Sequence, residues 1–554
     1  METTITINAR GRLSPFPHFW EVIFGSGRAI LTLREHYRRD LRDVKTITDF
    51  QYVRFHAILH DEIGVYRENE QGQPRYNFTY VDQIYDSLLE SNVRPFIELG
   101  FMPRDLAAKD VRHPFWYKPI TAPPKNWNQW EDLVYEFVKH LIDRYGIGEV
   151  AHWFFEVWNE PNINFWSGVP KQATYYKLYE RTARAIKRVN PVLRVGGPAT
   201  AQAAWVGSFI KHCTKRNVPL DFVSTHVYGN DSAQAVLGSR QRIPSNGMIP
   251  SAVRKIYDQV KSSARPELPI HWTEVNATYL NDVNITDSPF MGPWLADTIR
   301  QCDGLVTTLA FWTLSDVFEE QGVPTKPFYG GYGLVAVGNI PKASYNAFKL
   351  LHLLGTDRIR IKSSNALATR RPNGSLAIAV WNYAPPEEKG SAKRIKLVIK
   401  GLEWSHRLLI HLLDRDHGSP LATWQEMGRP DWPTRDEQRR LRAAAKLGPP
   451  QEFPVSGAGI SSTTLDLEPH SLALVEVVRS DAARCLWTCP YLRTAGSAGT
   501  CGCCPRCHAL RARPQRSSRS CRRRGSSWPL PSSPRSRSHP SRRRCRPTSA
   551  RVHR

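Results

Sequence analysis

The chain has 554 residues, 41% hydrophobic and 23% charged, with a formal net charge of +25. This length exceeds the ~250 to 300 residues at which one hydrophobic core stops growing, so two domains are expected. The charge does not make the body a nucleic-acid binder: residues 481–554 hold eighteen Arg, no Lys and one acid, Asp481, and supply +17 of the total.

Cysteine divides the chain in the same way. Only Cys213 and Cys302 lie in the first 480 residues, and the other eight fall between Cys485 and Cys545, so no disulfide framework is expected in the body. The N-terminus lacks a basic segment followed by an apolar one, and no run reaches ~18 consecutive apolar residues. A soluble, cytoplasmic protein is expected, although a chain trimmed of its signal would read the same. Without a secretory signal, the sequons at Asn77, Asn276, Asn284 and Asn373 carry little weight.

In chain order, Thr4-Ile5-Thr6-Ile7-Asn8 alternates like a half-buried strand before Gly11, Pro15 and Pro17 interrupt it. Residues 1–14 are expected to contribute a strand to a second domain. From Phe19 a unit of short apolar strand, loop and amphipathic helix repeats, with strands expected at 19–25, 52–59, 94–101, 153–159, 194–197, 222–228, 269–275 and 308–314. Trp127, Trp130, Leu133, Val134, Phe137, Leu141 and Ile142 recur at helical spacing up to a Gly146 cap. Similar helices are expected at 78–92, 171–189 and 289–302. Eight such units predict an α/β fold, a (β/α)₈ TIM barrel over 15–343. An open doubly wound sheet is the weaker option, because Gly25-Ser26-Gly27-Arg28 lacks the third glycine of a dinucleotide turn.

Past Ala343 the texture changes. Leu367 to Tyr383 reads as two strands around Asn373-Gly374, and alternating segments at 394–399, 407–413 and 463–478 predict an accessory β-sandwich over 344–480. The Arg, Ser, Pro and Cys-rich segment 481–554 is expected to be a disordered tail, since it offers almost no aliphatic periodicity. Its bias also fits an out-of-frame read of GC-rich coding sequence. Cys501, Cys503, Cys504, Cys507 and His508 have spacing that would suit zinc, and the Arg runs would suit phosphates.

The chemistry centres on Trp153-Phe154-Phe155-Glu156-Val157-Trp158-Asn159-Glu160-Pro161-Asn162, where a strand stops at Asn-Glu-Pro. Glu160 closes the fourth strand and Glu274, in His271-Trp272-Thr273-Glu274-Val275-Asn276, closes the seventh. A closed barrel delivers both to one rim. Paired carboxylates are the minimum for glycoside hydrolysis, one holding a proton for the leaving oxygen and the other attacking the sugar or activating water. His56, Asn159, His226, Tyr228 and Trp312, with Trp116, Glu319 and Glu320 in loops, add the hydroxyl partners and aromatic faces a sugar pocket needs. Individually, the histidines and Trp312 would more often be core residues and Glu319-Glu320 a solvated surface pair; their joint placement at strand ends is what favours a pocket.

Together with Gly25-Ser26-Gly27-Arg28 and Arg54-Phe55-His56, these motifs resemble glycoside hydrolase family 39, the family of β-xylosidases and α-L-iduronidases, over roughly residues 1–480. The resemblance implies a retaining mechanism with Glu160 as acid/base and Glu274 as nucleophile, and it puts Asn159, His226, Tyr228 and Glu320 at positions that hold sugar hydroxyls. Iduronidase-like members place a Lys shortly after the strand-six His to meet the uronate. Here Tyr228 stands there, and Glu319 and Glu320 would repel a uronate. The expectation is therefore an exo-acting β-xylosidase cutting xylo-oligosaccharides, with no metal, organic cofactor, nucleic-acid partner or membrane. An iduronidase-like or other barrel hydrolase is the alternative, and a non-catalytic sugar or nucleic-acid binder is the rival from another class.

Overall fold

A computed structural model describes residues 2–480. The expectations for 481–554 lie outside the described residues. Eight parallel strands close into a barrel in sequence order: β1 (Ile23–Arg28), β2 (Tyr52–His56), β3 (Arg94–Leu99), β4 (Phe154–Val157), β5 (Arg194–Thr200), β6 (Phe222–Tyr228), β7 (Ile270–Asn276) and β8 (Thr308–Phe311). Closure excludes the doubly wound sheet. β1 begins later than the apolar run implied: Phe19 and Trp20 pack their rings against Phe16, and of the two only Phe19 reaches the barrel wall through its backbone, its carbonyl accepting from Leu309 N at 3.0 Å.

Period-two alternation sorts each strand between two environments. Val53, Phe55, Ile97, Phe155, Val157, Val223 and Val227 join the large core cluster that also takes in the helices' buried faces. The alternate positions Tyr52, Phe96, Phe154 and Phe222 meet Ile23 and Ala310 in an aromatic plug inside the barrel. One inward step further along β2, β3 and β4 come Arg54, Glu98 and Glu156, all fully buried. The interior is thus layered, apolar at the floor and charged above it, with the C-terminal rim open for side chains beyond.

The helices follow the sequence closely. Lys171–Val189 matches the expected span, and Trp127–Tyr145 starts under an Asn126 cap that accepts from Asn128 N and Gln129 N. It ends at Gly146, whose φ of 77° lies in the left-handed region that favours glycine. Among the described residues no helix is long and apolar enough to cross a membrane.

Two further sheets face each other. Glu2–Asn8 pairs in parallel with Lys393–Leu402, which pairs with Gly459–Leu467. The other sheet runs Leu13–Pro15, Asp357–Ile359, Ala366–Arg370, Leu376–Asn382, Ser471–Arg479, His406–Leu413, Gln451–Ser456. Ile5, Ile7, Leu397 and Ile399 from the first meet Ile378, Val475 and Val477 from the second in a separate core. The expected segment 463–478 is two strands of different sheets, because Pro469 and His470, with φ of 67°, turn the chain.

One buried ion cluster fixes the loop after β8. Lys342 Nζ lies 2.5 Å from both Asp287 Oδ1 and Asp316 Oδ2 and donates to Gly331 O at 2.8 Å. The two carboxylates accept from Gly330 N and Gly333 N, so Lys342 anchors both ends of the segment that carries Glu320 and Tyr332. Burial pushes Asp287 up to about 6, with Lys342 pulling the other way. Replacing Lys342 by Met leaves two buried carboxylates facing each other. It should cost about 3–5 kcal/mol of unfolding free energy. Urea denaturation of Lys342→Met checks this, and adding Asp287→Asn and Asp316→Asn should recover part of the loss.

Candidate active site

The chain leaves β4 through two non-glycine residues in the left-handed region, Trp158 (φ 72°) and Glu160 (φ 41°). Such residues cost of order 1–3 kcal/mol each and persist where surroundings over-determine them. Here Trp158 is fully buried and donates from Nε1 to Phe165 O at 2.7 Å, while Glu160 N donates to Ala199 O at 2.8 Å. The result aims the Glu160 carboxyl across the barrel mouth toward β6 and β7.

There a carboxylate oxygen of Glu160, one of Glu274 and a ring nitrogen of His226 lie within 4.8 Å of one another. Glu274 is held on both oxygens: Oε1 accepts from Arg54 Nη1 at 2.8 Å and Oε2 from the Tyr228 hydroxyl at 2.8 Å. Arg54 also donates to Glu156 Oε2 at 2.6 Å and to Asn159 Oδ1 at 2.9 Å, and lies 3.1 Å from Glu98 Oε2. Burial opposes its charge, but Glu156, Glu98 and Glu274 together raise its pKa further. The same three atoms near Glu160 would not readily take a metal ion, because the guanidinium at Glu274 would face it.

Glu160 is in the opposite state. Burial, then the charges of Glu274 and Asp231, hold its carboxyl well above the usual range. Hydrogen-bond directions agree. Thr273 Oγ1 donates to Glu156 Oε1 at 2.9 Å, so toward His226 Nε2, 3.1 Å away, it serves as acceptor. Burial, then Arg54 and His56, depress His226 well below its usual value, so the ring is neutral. With Nε2 carrying the only ring proton, Nδ1 is bare and faces Glu160 Oε1 at 3.0 Å. That contact is a hydrogen bond when Glu160 carries the proton.

The cavity above the pair has a volume of about 300 Å³. His56, Asn159, Tyr228, Trp312 and Glu320 line it with the two carboxylates, as do His113, Phe115, Phe165, Gln202, Asp231, Tyr279 and Tyr332. Trp312 reaches in because β1 yields: a Cβ on Gly25 would sit 2.2 Å from the indole, which explains the first glycine of Gly25-Ser26-Gly27-Arg28. Glu320 is pushed up to about 8 by burial, against the pull of His56 and with the push of Glu274. His56 itself, despite burial, is raised by its bond to Glu98.

Three of the expected sugar-binding side chains are elsewhere. His226 lies behind Glu160, fully buried against Thr273. Glu319 turns away from the cavity into ion pairs with Arg28 (2.9 Å) and Arg34, because two cations there outcompete water for it. Trp116 is 52% exposed, donates its backbone N–H to Glu320 O at 2.7 Å and stacks on Arg28. Sequence reasoning missed the roles of Arg54, Glu98 and Glu156. Their signal was a charged residue in the inward register of an otherwise apolar strand. It also missed the loop residues His113, Phe165, Asp231 and Tyr279, which carried no local signal.

Comparison with known proteins agrees with this architecture. The chain is 36% identical over 484 residues to a β-xylosidase of Geobacillus stearothermophilus, covering 85% of this chain and 95% of the relative. It is 24% identical to the human α-L-iduronidase over 457 residues, 73% of this chain and 66% of that protein. A solved structure of a GH39 β-xylosidase from Caulobacter crescentus superposes with a TM-score of 0.75 at 33% identity, covering 86% of this chain and 99% of that one. The glycosyl hydrolases family 39 profile matches residues 3–460, and the chain belongs to that family.

Proposed function

We propose that the protein is a retaining, exo-acting β-xylosidase that releases xylose from the non-reducing end of β-1,4-xylo-oligosaccharides. The observation that carries this reading is the pair Glu160 and Glu274, one protonated and one charge-paired, with oxygens within 4.8 Å beneath the cavity. Retaining enzymes hold their carboxyl groups ~5–5.5 Å apart, and inverting ones ~6.5–9.5 Å apart to admit a water. The similarity to β-xylosidases over most of both chains supports the same reading.

In the first step Glu274 attacks the anomeric carbon while Glu160 gives its proton to the leaving oxygen. Arg54 and Tyr228 orient Glu274 and leave it one negative charge to form the bond. In the second step Glu274 is an ester, its charge is gone, and Glu160 takes a proton from the attacking water. The bare Nδ1 of His226 offers the Glu160 anion no donor, which keeps that anion basic. Trp312 presents an aromatic face to the ring, and a protonated Glu320 donates to a hydroxyl.

The sugar follows from charge. Among the described residues lining the cavity none is Lys or Arg, while four are acidic: Glu160, Asp231, Glu274 and Glu320. A uronate would meet carboxyl groups with no Lys or Arg to pair it, and the one lining histidine drawn toward protonation, His56, is already bonded to Glu98, whereas a neutral pentose needs no cation. A panel of aryl glycosides tests the reading. The β-xyloside should be turned over at least roughly 10²-fold faster, by kcat/KM, than the α-L-iduronide. Proton NMR should show β-xylose as the first product. A preference for the iduronide, or α-xylose first, overturns the proposal.

Two sets of variants test the roles. Glu274→Ala should lose essentially all turnover. Glu160→Ala should lose less with aryl leaving groups that depart without a proton, and azide should rescue it as the β-xylosyl azide. His226→Gln replaces an acceptor by a side chain able to donate to the Glu160 anion. The activity lost as pH rises through the Glu160 pKa should then be lost about one pH unit earlier. Thr273→Val, which frees the His226 tautomer, should shift the alkaline limb in the same direction and by less. An unmoved limb in both variants removes His226 from the control of Glu160.

A further inference from the structure

We propose that His18, Glu21 and His352 form a binding site for a divalent transition-metal ion, of the Zn²⁺ type, at the end of the barrel opposite Glu160. His18 and Glu21 lie in the segment that enters the N-terminal end of β1, and His352 follows the helix Ala343–Leu351. The two imidazoles converge on one carboxylate: His18 Nδ1 and His352 Nδ1 each lie 2.9 Å from Glu21 Oε1, and His352 Nδ1 is 3.1 Å from Oε2. All three ligand atoms fall within 4.8 Å of one another. Two histidines and one carboxylate are a donor set that zinc accepts, with a water in the fourth position.

The surroundings hold these atoms in place. Glu21 N donates to His18 O at 3.2 Å, a turn that brings the two side chains together, and His352 N donates to Phe348 O at 2.8 Å at the helix end. The His18 ring stacks on Trp20 at 4.4 Å, which fixes its plane. His352 Nε2 lies 3.9 Å from the exposed Asp49 Oδ2, within ion-pair reach but beyond hydrogen-bond distance. The Glu21 side chain is only 4% exposed, while those of His18 and His352 are 17% and 15% exposed, so an ion would reach the ligands from water without opening the core.

Such an ion would join two stretches that also meet through the backbone. Phe16 N donates to Thr356 O, and Leu13–Pro15 pairs with Asp357–Ile359 just after His352. Its effect would be on stability, since none of the three residues lines the cavity at the other end. Binding to the folded chain raises the melting temperature with the logarithm of free metal.

The test uses the full chain treated with EDTA, with accessible thiols capped by iodoacetamide so that the cysteines after 480 do not take the metal. Zn²⁺ alone is then titrated by calorimetry and by thermal melting. One ion per chain and a rising melting temperature are expected. His18→Gln and His352→Gln should each weaken binding at least about tenfold, with kcat/KM within twofold of the parent. Should either variant fail to fold, diethylpyrocarbonate labelling of the parent chain, read by peptide mass, replaces it, and Zn²⁺ should protect His18 and His352. A parent chain that takes up no stoichiometric Zn²⁺, variants that bind as well as the parent, or equal labelling with and without Zn²⁺ overturns the proposal and leaves two histidines sharing a carboxylate.

Discussion

The Arg54 guanidinium is the constraint on which the reaction end of the barrel depends. It is wholly excluded from solvent. An uncompensated charge there would cost several kcal/mol, so each donor must find an acceptor. The acceptors are Glu156, Asn159 and Glu274, with Glu98 in ion-pair reach. These residues come from β3, from β4 and the turn after it, and from β7. One cation on β2 therefore sets the relative positions of three other parts of the wall. Asn159 is the link to the chemistry, since its side chain is tied to Arg54 while its backbone neighbour is Glu160.

The charge balance of that cluster matters as much as its geometry. Three carboxylates surround one guanidinium, and His56 is drawn toward protonation by Glu98. The site therefore keeps a negative excess at Glu274. That excess raises Glu160, and it suits a reaction whose transition state carries positive charge on the sugar ring. His226 adds a constraint that the charges alone do not impose. Its tautomer is set from behind by Thr273 and Glu156, so it meets Glu160 with a lone pair rather than a proton.

The parts legible in the sequence were those written in short-range pattern. The helix Trp127–Tyr145, its Asn126 start and its Gly146 stop follow from spacing and cap chemistry, and eight strand-helix units leave little choice but a barrel. Glu160 and Glu274 were legible because each ends an apolar strand. Glu319 was not placed correctly beside Glu320, because adjacent residues in a loop point apart and only the tertiary position of Arg28 and Arg34 decides which one is withdrawn. Asp231, Phe165 and Tyr279 reach the cavity from irregular loops, where neither period two nor period 3.6 operates. The strand division at Pro469 was missed for a related reason: alternation continues through the turn and hides the change of sheet.

Tyr228 illustrates how a position read for one purpose serves another. As the residue two after His226, its identity argued for a neutral sugar, because a Lys there would meet a uronate. Its hydroxyl, however, donates to Glu274 Oε2 at 2.8 Å, so it is committed to the carboxylate and not to C5 of the substrate. A Lys in its place would bring a second cation to Glu274 beside Arg54, drawing negative charge from the carboxylate proposed as nucleophile as well as offering a partner to a uronate. In the proposed mechanism the residue therefore couples sugar choice to the charge on Glu274, and the case for a pentose rests more firmly on the composition of the whole wall. That wall holds four acids and no Lys or Arg among its described residues, and the raised pKa of Glu160 comes from burial first and then from the same negative excess. Adding a cation to admit a uronate would lower Glu160 toward the ordinary carboxylate range, so selectivity and proton transfer are constrained together.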